Sequence, residues 1–158
     1  VGLYGYVHAI LADRAEAEDV VQEVFLRALA RSRWWFGLRN PAGYLYRAAR
    51  NEALSRLRKR SVRTRAAAAL IYSSELLAPV ETSLESAEEA ARVNAALLAL
   101  PVDQREVVVL KVYQNMTFKE IARVTGASQN TVASRYRYAL AKLKEILEAE
   151  EAMTHGHN

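Results

Sequence analysis

The sequence predicts an all-α chain of two small helical domains joined by a flexible linker. Three observations predict it. Ala, Leu, Arg and Glu are abundant, while the 158 residues hold only six glycines and three prolines, a mix that favours helix over strand. Apolar residues recur at i, i+3, i+4 and i+7 in several stretches, and nothing reads as strand. Side chains that start helices stand ahead of those stretches. The boundaries expected are a first domain over residues 1–65, an acidic linker over 66–86, a second domain over 87–150 and a polar tail over 151–158.

In the first domain, Asp13 and Glu16 have the spacing of a helix N-cap with a returning carboxylate. Ala17, Val20, Val21, Val24, Phe25, Ala28 and Leu29 follow as one apolar face. Asp19, Gln22 and Glu23 fall off that face. The run Arg33-Trp34-Trp35-Phe36-Gly37-Leu38-Arg39 breaks the pattern and reads as an aromatic loop. Asn40-Pro41 is a capping side chain followed by proline at the first helical position, so a helix is expected over 41–60. Leu45, Ala48, Ala49 and Ala53 form its buried stripe, and Arg47, Asn51 and Arg58 share another face.

Ser73, Ser74, Pro79, Thr82 and Ser83 punctuate the middle of the chain. Its second half carries Glu75, Glu81 and Glu85 and almost no base. An anionic tether of this kind is attracted to basic channels, and a solubilising spacer is an equal reading. Beyond it, Ala90, Val93, Leu97 and Leu98 suggest a helix ending before Pro101, and Val107, Val108, Leu110 and Lys111 belong to another. Thr117-Phe118-Lys119-Glu120 is a capping box. Gly126 stands where a turn needs a residue without Cβ, and Ser128 caps a long final helix reaching beyond Leu143.

The formal net charge is +4, weak evidence alone for an anionic partner. The distribution is more telling: acids gather at 13–23 and 75–89, bases at 47–65 and 105–144. Such blocks suit several partners of different charge, or simply solvated helix faces. Cysteine is absent, which excludes a disulfide framework and thiolate chemistry. No apolar run reaches the roughly 20 residues of a membrane span and no signal peptide pattern opens the chain, so a cytoplasmic protein without membrane insertion is expected. The chain opens on Val1, and a preceding piece is expected to be missing from it. His155 and His157, one residue apart without further ligands, read as a tail and not a metal site. His8 is solitary and is expected to pack or be solvated. No catalytic residue, metal site or cofactor is expected, and an enzyme lacks any motif in its favour.

Residues 117–144 carry the strongest functional signal. A short capped helix, a tight turn at Gly126 and a second helix lined by Arg135, Arg137, Lys142 and Lys144 have the plan of a helix-turn-helix, whose second helix enters the DNA major groove N-terminus first. Gln129, Asn130, Thr131 and Ser134 lie early on that helix and suit base edges or phosphates. Arg135 and Arg137 suit phosphates, and Tyr138 completes the candidate surface. An ordinary helical hairpin is the competing reading.

Leu100-Pro101-Val102-Asp103-Gln104-Arg105-Glu106-Val107, then Met116-Thr117-Phe118-Lys119-Glu120-Ile121-Ala122, then Thr131-Val132-Ala133-Ser134-Arg135 closely resemble the promoter-reading C-terminal domain of extracytoplasmic function (ECF) sigma factors. Ala17-Glu18-Asp19-Val20-Val21-Gln22-Glu23-Val24-Phe25-Leu26 resembles the family's polymerase-docking helix, and Asn40-Pro41-Ala42-Gly43-Tyr44-Leu45-Tyr46-Arg47-Ala48-Ala49-Arg50-Asn51 resembles its segment at the minus-ten element. The resemblance covers most of the chain in the family's order. It departs at Tyr44, where Trp is common, at Ser55, where many relatives carry Asp, and at Ala133, where Lys or Arg is frequent. The family's usual first helix is expected to be shortened or missing before Gly2.

The resemblance implies a factor that directs RNA polymerase to promoters. Asp19, Gln22 and Glu23 would meet a basic clamp surface of core polymerase. Arg47, Arg50, Asn51 and Arg58 would hold the melted minus-ten strand, with Trp34, Trp35 and Phe36 as platforms for unstacked bases and Tyr44 on the same DNA-binding surface. Trp34 and Trp35 are equally open to a reading as core residues. The helix-turn-helix would read the minus-thirty-five duplex, and an anti-sigma partner is common among relatives. The alternative is a polymerase-independent helix-turn-helix regulator, which would usually dimerise on two half-sites and leaves the aromatic loop and the first helix unexplained.

Overall fold

The computed structural model describes residues 2–31, 37–64 and 84–155. Among these residues the chain is helical and forms no strand. Seven α-helices follow one another: α1 Leu3–Leu11, α2 Arg14–Ala30, α3 Pro41–Thr64, α4 Leu84–Leu98, α5 Val102–Val108, α6 Phe118–Thr125 and α7 Gln129–His155, with a π-helical turn Val109–Tyr113 continuing α5.

Helix α1 is apolar all round, and that settles its place. Tyr6, Val7, Ala9, Ile10 and Leu11 are at most 2% exposed, as expected of a helix without a polar face. Fully burying Ile10 or Leu11 contributes about 1.5–3 kcal/mol each. Ala12 then takes a left-handed conformation and its N–H bonds the His8 carbonyl, which ends the helix. Asp13 accepts the Glu16 N–H at 3.0 Å and starts α2. Helix α2 turns Ala17, Val20, Val24 and Ala28 inward. Phe25 and Leu29, expected on that stripe, face outward instead, together with Leu26.

Asn40 Oδ1 accepts the Gly43 N–H at 2.9 Å and starts α3. Ala49 and Ala53 are fully buried; side chains this small let α1 and α2 approach closely, while Leu45 and Ala48 are half-buried. The helix runs to Thr64, four residues past its expected end. The linker expected over 66–86 lies outside the described residues up to 83, and α4 begins inside its last part at Leu84.

In the second half, α4 lies along α7, with Arg92 3.8 Å from both Glu150 and Glu151. Leu97, Leu100, Val108 and Ala139 pack together, bordered by Tyr136 and Leu143. The residues expected as a polar tail from 151 continue α7 as far as His155. In the π turn, Gln114 N–H bonds the Val109 carbonyl at 3.3 Å, and Asn115 adopts φ 52°. This bend sends the chain back into α6.

The two halves do not stand apart. Tyr6, Ile10, Ala49 and Ala53 share one continuous core with Val107, Leu110, Ile121 and Val132. Helices α1 and α3 therefore pack directly on α5, the π turn and α6.

Candidate nucleic-acid and polymerase interface

The helix-turn-helix is built by local chemistry. Thr117 Oγ1 accepts the Glu120 N–H at 3.2 Å, and Glu120 Oε2 accepts the Thr117 N–H at 2.7 Å. These bonds hold the Glu120 carboxyl below its ordinary value: the backbone bond from Thr117 contributes most, then the bond from its hydroxyl. Gly126, at φ 75°, closes α6 with its N–H on the Ala122 carbonyl. A left-handed residue is needed there, and glycine adopts it without strain. Ser128 Oγ accepts the Thr131 N–H at 3.1 Å and opens α7. Ile121, Val124 and Val132 pin the two helices together.

That geometry leaves Gln129, Asn130 and Thr131 exposed at the N-terminus of α7, where free backbone N–H groups and the helix dipole favour anions. Ser134 and Arg135 are half-buried. Arg135 Nε reaches Asp103 Oδ2 at 3.2 Å, tying α7 to α5. Arg137 and Tyr138 are exposed, with the guanidinium 5.3 Å from the Tyr138 ring centre. Thus the early polar residues share one outward end, whereas Arg135 is already engaged with a carboxylate.

In the first half, an open cleft of about 650 Å³ runs between α2 and α3. Tyr44, Arg47 and Asn51 line it, with Arg27 and Arg31 from the opposite wall. Arg47 and Asn51 are exposed. Two described residues of the sequence-based set, Arg50 and Arg58, stand elsewhere. Arg50 is turned inward onto Glu106, to which it donates two bonds of 2.8 Å. Trp34, Trp35 and Phe36 lie outside the described residues. Arg58 is exposed on α3 two turns beyond Asn51, away from the cleft lining. Arg27 and Arg31 were missed by sequence reasoning: they stand at i+7 from Val20 and Val24, in phase with the buried stripe, and no local pattern marks them for the cleft.

The acidic side of α2 is stitched to α3. Glu23 pairs with Arg27 and, at 3.0 Å, with Arg56, while Glu52 takes Arg27 at 3.3 Å and Arg56 at 3.4 Å. Partial burial works against ionisation of Glu23, and the two arginines outweigh it, holding its carboxyl below the ordinary value. Asp19 stays largely exposed, 3.9 Å from Arg56, and Gln22 is exposed. Gln22, Phe25, Leu26 and Leu29 fall on one face at i, i+3, i+4 and i+7. Phe25 is 45%, Leu26 66% and Leu29 69% exposed, an apolar row beside a polar one. Among the described residues no helix is long and apolar enough to cross a membrane.

This arrangement has counterparts among known proteins. The sigma-70 region 2 profile matches residues 2–63 and the sigma-70 region 4 profile matches residues 90–143. The chain is 32% identical over 145 residues to the ECF RNA polymerase sigma factor EcfG of Rhodopseudomonas palustris, covering 92% of this chain and 77% of that one. It is 29% identical over 153 residues to the ECF RNA polymerase sigma factor SigK of Mycobacterium tuberculosis, covering 92% and 80%. Among solved structures it resembles the sigma factor RpoE in complex with the anti-sigma factor NepR from Bartonella quintana, with a TM-score of 0.78, 26% identity and coverage of 92% and 89%. CnrH in complex with the cytosolic domain of CnrY is also similar, with a TM-score of 0.63, 25% identity and coverage of 93% and 80%. A lone helix-turn-helix regulator accounts for the second match and not the first. With both regions present in the same order, the chain belongs to the ECF RNA polymerase sigma factors, which serve transcription initiation.

Proposed function

We propose a division of labour within this sigma factor. The first module, residues 1–65, docks on the polymerase clamp, reads the minus-ten element and holds its melted strand. The second, residues 87–150, reads the minus-thirty-five element as duplex. The acidic segment 66–86 is a tether drawn toward basic polymerase channels.

Clamp docking uses Asp19, Gln22 and Glu23, as the resemblance implies, and the exposed row Phe25, Leu26 and Leu29 gives that contact an apolar centre. The cleft between α2 and α3 supports the minus-ten role. It is open, it is large enough for an unstacked base, and Arg47 and Asn51 stand at its wall. Tyr44 lines the same cleft, and Trp34, Trp35, Phe36, Arg50 and Arg58 also serve the minus-ten strand, as the resemblance implies. On α7, Gln129, Asn130, Thr131 and Ser134 read base edges, and Arg135, Arg137 and Tyr138 meet the backbone. Melting draws on binding free energy, and the chain acts as a cytoplasmic initiation factor and not as an enzyme, as the resemblance implies. The two similar structures are complexes with NepR and CnrY, which supports control of this chain by an anti-sigma partner.

The observation that carries this reading is the exposed polar N-terminus of α7 set behind a glycine turn, in a chain whose other half carries a cationic cleft. Mobility-shift assays on promoter fragments test it. The chain alone is expected to bind weakly, and chain with core polymerase to form a tight, specific complex. Strong sequence-specific binding by the free chain would overturn it.

A further inference from the structure

Polar groups occupy the centre of the seam between the two modules. Glu106 on α5 is 1% exposed. Arg50 on α3 grips it with two parallel bonds, Nε to Oε2 and Nη2 to Oε1, both 2.8 Å. Tyr6 on α1 donates its hydroxyl to the same Oε2 at 3.2 Å. Nearby, Arg105 Nη1 donates to the Ala9 carbonyl at 2.7 Å, and the Tyr46 hydroxyl donates to Gln114 Oε1 at 2.6 Å. Each of these bonds joins one module to the other. By contrast, the ion pairs of Arg27, Arg56, Arg92 and Arg135 stay within a module.

Two physical conflicts follow. A guanidinium that forms a bidentate pair with a buried carboxylate is not available to neutralise a phosphate. In addition, a compact chain of this length has a radius of gyration of about 15 Å. The two promoter elements are centred about 25 base pairs apart, which is about 85 Å of duplex at 3.4 Å per step. The closed body cannot lie on both.

We propose that the Arg50–Glu106 pair, completed by Tyr6, is a latch that closes the free chain, and that its release exposes Arg50 for nucleic acid as the modules part. The consequence for DNA rests on the role proposed above for Arg50; the latch itself rests on the seam. A closed majority state lowers apparent DNA affinity by the fraction that is open. It thus gives a physical reason for weak binding by the free factor, with the polymerase supplying the differential contacts that favour the open form.

The test uses the full chain. It contains no cysteine, so Lys59→Cys and Glu145→Cys, exposed positions on opposite modules, accept a dye pair for energy transfer. Glu106→Gln should lower transfer with helix content retained. If the closed form holds nine-tenths of the molecules, it should also raise affinity for a single-stranded minus-ten oligonucleotide by up to about tenfold. Adding Arg50→Ala to Glu106→Gln should abolish that gain. Should Glu106→Gln lose helix content, Arg50→Ala reports the same opening by transfer alone. Unchanged transfer in the folded variant overturns the latch, whatever the DNA result. If transfer falls but Arg50→Ala costs no DNA affinity in the polymerase complex, the latch stands and the DNA role of Arg50 is the part that fails.

Discussion

Single residues set the boundaries on which the site depends. Ala12 sits at φ 51° between α1 and α2, a region where an L side chain costs roughly 1–2 kcal/mol and glycine little. Ala12→Gly is therefore expected to stabilise the chain by about 0.5–1 kcal/mol, after the greater entropy loss of glycine is counted. A higher urea midpoint at unchanged slope would show it, and a lower midpoint would contradict it. Thr117 and Glu120 make a second boundary. The Glu120 carboxyl is lowered in the folded chain, so its contribution is full above the ordinary glutamate value and is lost as pH falls through the lowered one. Thr117→Ala should cost about 1 kcal/mol near neutrality. The difference between variant and parent should shrink below about pH 4 as the carboxylate protonates. A difference that stays constant down to pH 3 would mean that the bond from the Thr117 hydroxyl to the Glu120 carboxylate contributes nothing. These caps were legible in the sequence because cap chemistry is local: Asp13, Asn40, Thr117, Gly126 and Ser128 act on residues within one turn. Ala12 gave no such sign, since alanine rarely takes a left-handed conformation.

At the scale of elements, the legible helices are those with one apolar and one polar face. Helix α1 has no polar face and so no stripe to read, and its run from Leu3 to Leu11, broken only by His8, is buried from Gly5 onward. Helix α2 shows the converse. Phe25 and Leu29 fit the apolar period, but α1 and α3 cover only the arc through Ala17, Val20, Val24 and Ala28. Periodicity reports which residues share a face and not how much of it a neighbour covers. Leu29→Ser should accordingly change stability by less than about 0.5 kcal/mol, as for exposed sites elsewhere, while weakening affinity for core polymerase. A large loss of stability would return Leu29 to the core. On α7, Arg137 is exposed and Arg135 is tied to Asp103. Arg137→Ala should reduce the slope of log affinity against log salt by about one in the minus-thirty-five complex, without changing sequence preference. An unchanged slope would remove Arg137 from the phosphate contacts.

For the whole molecule, the order of elements and the two modules were readable, and the packing between them was not. The pair Arg50–Glu106 joins residues far apart in sequence, and Arg50 looks in isolation like one more base on a cationic helix. Nothing in helical period or cap chemistry reports a partner on another module. The shared core from Tyr6 to Val132 holds the two modules in one body, and the separation proposed above has to come from a larger partner. The central claim is that this separation takes place on RNA polymerase and confers promoter choice. Run-off transcription with core polymerase over a promoter library, with and without the chain, measures it most directly. The account predicts discrete transcripts from a subset of promoters only when the chain is present, lost when α7 carries both Gln129→Ala and Asn130→Ala; an identical transcript set with and without the chain would contradict it.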